Sequence, residues 1–273
     1  MGRKGEKIGQ CRLCRQEGAE LRDSHIVPSW AYARIVSDLA KPANPVSITG
    51  DVALLSSKQV REHMLCEGCE QRLSGWENYA SSMVVQEDES FPWIKHSLPV
   101  FARVGPDVLP TDEVALLECS RLDVHALASF GASVVWRASA SRVAVPGVSL
   151  GPYEDEFRKY LVNGAPFPSV ARLVIYVHTP ARRIGFPSAN RMITVPTTVK
   201  NTGYARHWFL LCGVSFHLFV GGLLPEFTRS LCFVGTSRVI AQPSDQMVDL
   251  LGDAAIGAKA KGLLARMKAE GRL

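Results

Sequence analysis

The sequence lacks a segment suited to crossing a membrane or to directing secretion. Its longest apolar run, residues 208–224, contains Ser215, His217 and three glycines, and it is short for a membrane span. Two strands or a hairpin explain this run better. The N-terminus, Met-Gly-Arg-Lys-Gly-Glu-Lys, has no apolar stretch of the kind found in signal peptides. We therefore expect a cytoplasmic protein without a membrane partner.

The sequence also lacks internal repeats, low-complexity segments and a strong charge imbalance. Of 273 residues, 47% are hydrophobic and 21% are charged, so enough apolar surface is available to offset the entropy lost on folding. The net charge of +5 is consistent with a nucleic-acid partner but is not diagnostic of one. Basic residues are concentrated in residues 1–15 and 257–273, and these two ends either meet an acidic partner or are simply solvated.

Cysteine is sparse outside two short motifs. Four of the seven cysteines form two C-x-x-C pairs: Cys11 with Cys14, and Cys66 with Cys69. The other three stand alone in apolar stretches: Cys119, Cys212 and Cys232. A disulfide framework is typical of shorter secreted chains. We therefore expect four metal-type thiols and three buried thiols in a reducing environment.

The two C-x-x-C pairs predict one structural zinc site formed by Cys11, Cys14, Cys66 and Cys69. Zinc prefers four soft ligands in a closed tetrahedral site, and each pair offers two thiolates from one turn. The pairs are 51 residues apart, from position 15 to position 65, so a small element must fit between them. The alternative is a redox motif, but such motifs occur singly beside a βαβ unit. His63 is a second, less suitable candidate ligand.

A short strand followed by a helix is predicted around these pairs. The pattern of residues 19–27 is that of a strand, and Pro28 ends it because proline has no backbone N–H for a continuing ladder. His25 then lies near the end of the strand and shares a face with Asp23, since side chains alternate along a strand. A helix is predicted from Cys69 to about residue 86, on the spacing of its apolar residues.

The rest of the chain predicts a mixed arrangement of helices and strands. We expect helices over 122–137 and 153–162, and strands over 170–178, 192–199, 205–212, 214–220 and 231–240. Prolines and an acidic patch in residues 87–112 suggest a linker. The predicted organisation is a zinc-binding domain in residues 1–90, a mixed domain in 91–241 and a basic helical tail in 242–273.

The N-terminal motifs together resemble the HNH group of ββα-metal nucleases. They are C-x-x-C, a strand ending in Ser-His-Ile-Val-Pro, and Leu-Cys-x-x-Cys at the start of a helix. The resemblance covers about residues 11–85, and in that family a four-cysteine zinc often joins a hairpin to a helix. It implies an α+β fold, with a zinc-clamped ββα unit followed by a mixed second region that contains an antiparallel-rich sheet.

The resemblance also implies a set of catalytic residues. His25 matches the general base of the family, and an imidazole can take a proton from water near neutral pH. Glu70 stands where the family usually has asparagine or histidine, and its carboxylate suits Mg²⁺ or Mn²⁺. The sequence departs from the family pattern in two places. The residue before the base is usually aspartate or histidine, but here it is Ser24, and Asp23 could serve instead. The segment 58–63 lacks the asparagine that the family commonly has there.

Three functions remain as hypotheses. The first is a metal-dependent endonuclease that cuts DNA or RNA, by analogy a bacterial defence or toxin effector, with phosphate contacts from Arg12, Arg15, Arg22 or Arg72. The second is a catalytically inactive zinc module that binds nucleic acid or protein. The third is an interaction protein that binds a protein partner or a second copy of itself through residues 91–241. Under the second and third hypotheses, His25 has a structural role and Glu70 serves only to keep the helix soluble.

Overall fold

The fold is mixed α+β with antiparallel-rich sheets, as the sequence predicts. The computed structural model describes residues 7–37, 46–49, 52–55, 58–84, 98–99, 115–119, 121–142, 145, 147–179 and 192–243. Six helices lie within these ranges: α1 Ser29–Ser37, α2 Glu67–Val84, α3 Val124–Ala140, α4 Glu154–Asn163, α5 Phe227–Ser230 and α6 Phe233–Thr236. No helix in these ranges has the length and apolar character needed to span a membrane.

The N-terminal part contains a three-stranded antiparallel sheet and a helix that follows it. The strand order is β1-β2-β5, with β1 at Lys7–Gly9, β2 at Ala19–His25 and β5 at Arg61–Cys66. Helix α2 continues directly from β5 and packs on β2 and β5, so these three elements form a ββα-like unit. Residues 7–9 pair with β2 as an edge strand.

A small hairpin and a helix occupy the stretch between the two cysteine pairs. Helix α1 follows Pro28 directly and begins at Ser29. The hairpin consists of β3, Val46–Thr49, and β4, Val52–Leu55. These elements are the insertion that the 51-residue spacing requires.

The second region is built on a seven-stranded sheet in the order β6-β7-β12-β8-β11-β10-β9. The remaining strands are β6 Leu98–Pro99, β7 Ala115–Glu118, β8 Ala171–Thr179, β9 Thr197–Asn201, β10 Tyr204–Leu211, β11 Val214–Gly221 and β12 Arg238–Pro243. Every neighbouring pair is antiparallel except β12 with β8. Strand β9 is an edge strand, which agrees with the expectation from Pro196.

The turn between β10 and β11 explains why the longest apolar run does not form one long element. Cys212 and Gly213 both have positive φ values, 46° and 88°, as the two central residues of a tight hairpin turn require. The strands pair outward from Leu211 and Val214. The prediction of two adjacent strands around Gly213 is therefore confirmed.

Helix α3 packs against one face of this sheet. It is capped by Asp123, whose carboxylate accepts a hydrogen bond from the N–H of Ala126 at 2.9 Å. Gly131 allows a close approach, since a Cβ there would lie 3.0 Å from Cδ1 of Phe216 on β11. Gly131 costs the helix some intrinsic stability, and in return it lets the helix backbone approach β11 closely.

A hydrophobic cluster shared by the two regions joins them. One buried cluster contains Ile26 and Leu73 from the ββα-like unit together with Phe130 and Phe216 from the second region. The domain boundary that we predict at residue 90, and the tail beyond residue 243, lie outside the described residues and stay predictions.

The predicted strand over 231–240 is wrong for its first seven residues. Helix α6 occupies 233–236, and β12 begins only at Arg238. Gly235 and Ser237 have φ values of 98° and 54°, so the chain turns there instead of running straight. Leu231 and Phe233 are nevertheless buried, which produced the strand-like apolar pattern.

Candidate metal centre and the adjoining strand end

The four cysteines of the two C-x-x-C pairs come together. The sulfur atoms of Cys11, Cys14, Cys66 and Cys69 all lie within 4.8 Å of one another. Cys14 Sγ and Cys66 Sγ are 3.7 Å apart, close to the separation of about 3.8 Å expected for two sulfurs bound tetrahedrally to zinc at 2.3 Å. The cluster is therefore compatible with a structural zinc.

Backbone hydrogen bonds shape this cluster. The first pair lies in the turn between β1 and β2, where the N–H of Arg15 donates to the carbonyl of Cys11 at 2.8 Å. Arg15 has a φ of 65°, an uncommon conformation for a residue other than glycine. The N–H of Arg12 donates to the carbonyl of Met64 at 3.0 Å, and this bond joins the first turn to β5. The second pair spans the junction of β5 and α2.

The pKa values of Cys11, Cys14 and Cys69 are shifted in different directions. The hydrogen bond from Cys69 lowers the pKa of Cys11 to about 4, against the opposing effect of burial, and the N–H of Cys66 adds a hydrogen bond at 3.3 Å. The same hydrogen bond raises the pKa of Cys69, and burial adds to that increase. Burial also raises the pKa of Cys14. Thiolate ligation would therefore require a cation to displace protons from the remaining thiols.

His25 is the last residue of β2 and is held from two sides. Its Nε2 lies 2.6 Å from Oε1 of Gln59. Its carbonyl oxygen accepts a hydrogen bond from Nη1 of Arg137 on α3 at 2.6 Å. The next residue, Ile26, donates its N–H to the carbonyl of Val60 at 2.9 Å. Both the ring and the backbone of His25 therefore have defined positions.

Asp23 shares the face of His25, as alternation along the strand predicts, but it has intrachain partners. It lies opposite His63 in the strand register, with 3.7 Å between its carboxylate and Nδ1 of His63. Nε of Arg61 is 3.3 Å from the same carboxylate. Ser24 is buried on the other face and donates its hydroxyl hydrogen to the carbonyl of Arg22 at 3.3 Å. The pairing of His63 with Asp23 leaves it outside the cysteine cluster.

Glu70 lies in the first turn of α2, next to the cysteine cluster. Its Oε1 is buried and has no hydrogen-bond partner among the described residues. Asp23, His25 and Glu70 do not form a second group of three converging metal ligands in the described part of the chain; the cysteine cluster is the group found there. Their catalytic roles remain predictions.

The four arginines predicted to contact phosphates all make contacts within the chain. Arg12 pairs with Glu62, Arg15 with Asp155 at 2.6 Å, Arg22 with Glu20 and Glu67 at 3.0 Å each, and Arg72 with the carbonyl of Val162. A phosphate would have to compete with these partners.

Sequence reasoning missed Gln59 and Arg137. Gln59 belongs to the segment 58–63, which drew attention only because it lacks an asparagine. Arg137 falls at the end of a predicted helix. The spacing of apolar residues in that helix does not show whether this arginine is buried or exposed. Both residues matter because of what they contact, and that depends on the packing of distant segments.

Comparisons of the chain with protein-family models, with curated proteins and with solved structures found no match. The resemblance to HNH nucleases therefore depends on the quoted motifs and on the ββα-like unit alone.

Proposed function

We propose that this protein is a metal-dependent endonuclease of the HNH type, with His25 as its general base. The hydrogen bond between His25 Nε2 and Gln59 Oε1 carries the proposal. An amide oxygen can only accept a hydrogen bond, so Nε2 must carry the proton and Nδ1 keeps its lone pair. An imidazole held in this tautomer is suited to taking a proton from water.

In the proposed reaction, Nδ1 of His25 removes a proton from a water molecule as the water oxygen attacks the phosphorus atom. A new P–O bond forms to that oxygen, and the ester P–O bond to the leaving sugar oxygen breaks. The leaving oxygen takes a proton from solvent. The carbonyl contact from Arg137 supports the reaction by keeping the strand end that carries His25 in one position.

A divalent cation, when bound, would stabilise the charge on the scissile phosphate. Glu70 is the best candidate ligand, because its buried Oε1 lacks a partner among the described residues and a hard cation prefers oxygen ligands. Asp23 fits poorly as a ligand, because it would first have to leave Arg61 and His63. We assign no step of the reaction to Asp23.

We further infer that the four cysteines bind zinc. Four thiolates complete the coordination of zinc and leave no position for water or substrate. The role of such a zinc is to fix α2 against the first C-x-x-C turn, and so to keep Glu70 at a constant position relative to β2. Chemistry would then depend on His25 and not on the zinc.

A catalytically inactive zinc module is the second candidate. It is favoured by the ion pairs of Asp23 and by the lack of a second converging ligand group in the described residues. In this case the Gln59 contact of His25 would serve only to stabilise the end of β2.

Nuclease assays on plasmid DNA and on RNA, with Mg²⁺, Mn²⁺ or EDTA, distinguish the two candidates. We expect cleavage that needs a divalent cation, and a rate reduced about 10²–10⁴-fold in His25→Ala. Zinc content and the circular dichroism spectrum should be unchanged. The control is His125→Ala, which removes an exposed histidine of α3. Equal cleavage by His25→Ala would refute the assigned base, and salt-sensitive binding without cleavage would favour the inactive module.

A further inference from the structure

The face of the seven-stranded sheet that points away from α3 carries a polar and aromatic cluster. We call it the outer-face cluster, and its members are Tyr176 and His178 of β8, Ser215 and His217 of β11, and Arg206 and Trp208 of β10. The strand register pairs Ser215 with Tyr176, and His217 with Trp208. Since side chains alternate along each strand, all six lie on the same face of three adjacent strands.

One hydroxyl group joins the two histidines of this cluster. The Oγ of Ser215 lies 2.9 Å from Nε2 of His178 and 3.2 Å from Nε2 of His217. The ring of His217 lies between two aromatic rings, with centroid distances of 4.6 Å to Tyr176 and 5.8 Å to Trp208. The cluster is therefore one connected unit and not six independent side chains.

Three buried nitrogen atoms of this cluster have no partner among the described residues. They are Nδ1 of His178, Nδ1 of His217 and Nε of Arg206. His178 is only 1% exposed. Buried polar atoms in native proteins are almost always hydrogen-bonded to protein, water or a ligand, so three such atoms in one cluster require an explanation.

Arg206 also has no carboxylate partner among the described residues. No ion pair links it to any acidic residue of the described ranges, although other arginines of the chain, such as Arg12, Arg158 and Arg229, form such pairs. A partly buried guanidinium without an anion is unusual, because buried charges are normally paired. The side chains of the described residues therefore leave the charge of Arg206 uncompensated.

The hydrogen-bonding capacity of the cluster also favours an acceptor. The single hydroxyl hydrogen of Ser215 can be donated to only one histidine, so the other must donate its own Nε2 hydrogen to the serine oxygen. The histidine that accepts the serine hydrogen at Nε2 then carries its own proton on Nδ1. Together with Nε–H of Arg206 and the hydroxyl of Tyr176, this gives the cluster three donor groups besides those engaged with Ser215.

We propose that the outer-face cluster binds a phosphate group, with Arg206 supplying the charge, and with Tyr176 and whichever of His178 and His217 carries its proton on Nδ1 supplying hydrogen bonds. Arg206, Trp208, Tyr176 and His217 are only partly buried, so the cluster is in contact with its surroundings. A guanidinium matches the geometry of phosphate oxygens. This site is separate from His25 and does not depend on the proposed nuclease activity.

The electrostatics of the cluster are compatible with a bound anion. Burial lowers the pKa of His178 to about 4. Burial lowers the pKa of His217 as well, and the charges of Arg206 and His178 add to that effect. The charge of Arg206 also acts to lower the pKa of Tyr176, against the larger effect of burial. The positive charge of Arg206 therefore acts on both His217 and Tyr176, and it would attract a phosphate bound beside them.

Calorimetry and thermal unfolding of the full chain test the proposal. The probes are inorganic phosphate and adenosine monophosphate, compared with chloride at equal ionic strength. At a concentration 100-fold above Kd, a ligand that binds only the folded state should raise Tm by roughly 5–10 °C in a chain of this size. If both probes raise Tm, the site binds the phosphate group itself; if only the nucleotide does, the site binds phosphate as part of a nucleotide. If neither probe raises the Tm of the wild type, the proposed phosphate site is refuted.

Arg206→Gln is the main variant, and Arg229→Gln is its control because it removes the same charge from an exposed site on α5. We expect Arg206→Gln to abolish the phosphate-induced rise in Tm. In phosphate-free buffer, the Tm of this variant should equal or exceed that of the wild type, because the substitution removes an uncompensated cation. Tyr176→Phe, which keeps the ring, should weaken phosphate binding several-fold. Undiminished binding by Arg206→Gln would refute the site.

Discussion

Nη1 of Arg137 donates a hydrogen bond to the carbonyl oxygen of His25 at 2.6 Å. The arginine belongs to α3 and is 1% exposed, so the second region directly holds the strand end that carries the candidate base. Nη2 of the same guanidinium lies 2.5 Å from Oε1 of Glu77 on α2; this is a charge contact rather than a well-aligned hydrogen bond. One buried side chain thus joins three elements.

We expect Arg137→Met to destabilise the protein by about 3–5 kcal/mol, because it leaves Glu77 and the His25 carbonyl without their partner. Urea unfolding followed by circular dichroism measures this loss. The double variant Arg137→Met with Glu77→Gln should lose less than the sum of the two single losses, since it leaves no unpaired charge. Strict additivity would contradict the coupling.

The purified protein should contain one zinc ion per chain. Cys66→Ser should lose the zinc and about 5 kcal/mol or more of stability, because metal ligation and folding of the ββα-like unit are coupled. Elemental analysis and thermal unfolding measure both effects. Cys232→Ser is the matched control: Cys232 is a buried cysteine that lies outside the cluster, so this variant should keep its zinc. A zinc-free wild type would refute the prediction.

Gln59→Leu tests whether the amide holds His25 in one tautomer. Nitrogen-15 NMR of the wild type should show the proton on Nε2 of His25, and the variant should show a mixture of the two tautomers because leucine cannot accept the hydrogen bond. If His25 is the base, cleavage should fall about tenfold. The control is Gln71→Leu, on the exposed side of α2. An unchanged tautomer in Gln59→Leu would show that the amide does not select it.

Stability should fall as the pH falls from about 6.5 to 4. Burial lowers the pKa of both His178 and His207 to about 4, so the unfolded chain binds more protons than the folded chain within this window. The free energy of unfolding should decrease by about 1.4 kcal/mol per pH unit for each histidine. Denaturant titrations at several pH values measure this slope.

His207→Gln isolates one contribution to that slope. His207 lies on the α3 side of the sheet, and its Nδ1 is 2.9 Å from the Thr198 hydroxyl, so it is independent of the outer-face cluster. The variant should lose about one histidine's share of the pH dependence between pH 4 and 6.5. An unchanged slope would show that His207 is protonated equally in the folded and unfolded states.

Much of the N-terminal fold could be predicted because its signals are local. The strand that ends before Pro28 and the helix after the second cysteine pair follow from backbone geometry within a few residues. The main error, the strand over 231–240, also has a local cause. Apolar spacing alone does not show the turn at Gly235 and Ser237, whose backbone conformations interrupt an otherwise strand-like pattern.

The sequence by itself determined the cysteine cluster and the shared face of Asp23 and His25. Ligand chemistry and the alternation of side chains along a strand are properties of short segments, so they hold before the chain is folded. Both features could therefore be predicted from the sequence alone.

Only the tertiary structure decided what surrounds them. Gln59 is 34 residues from His25, and Arg137 is 112 residues from it. The outer-face cluster likewise combines three strands whose order in the sheet differs from their order in the chain. Contacts of this kind depend on how distant elements pack, and no spacing within a segment encodes them.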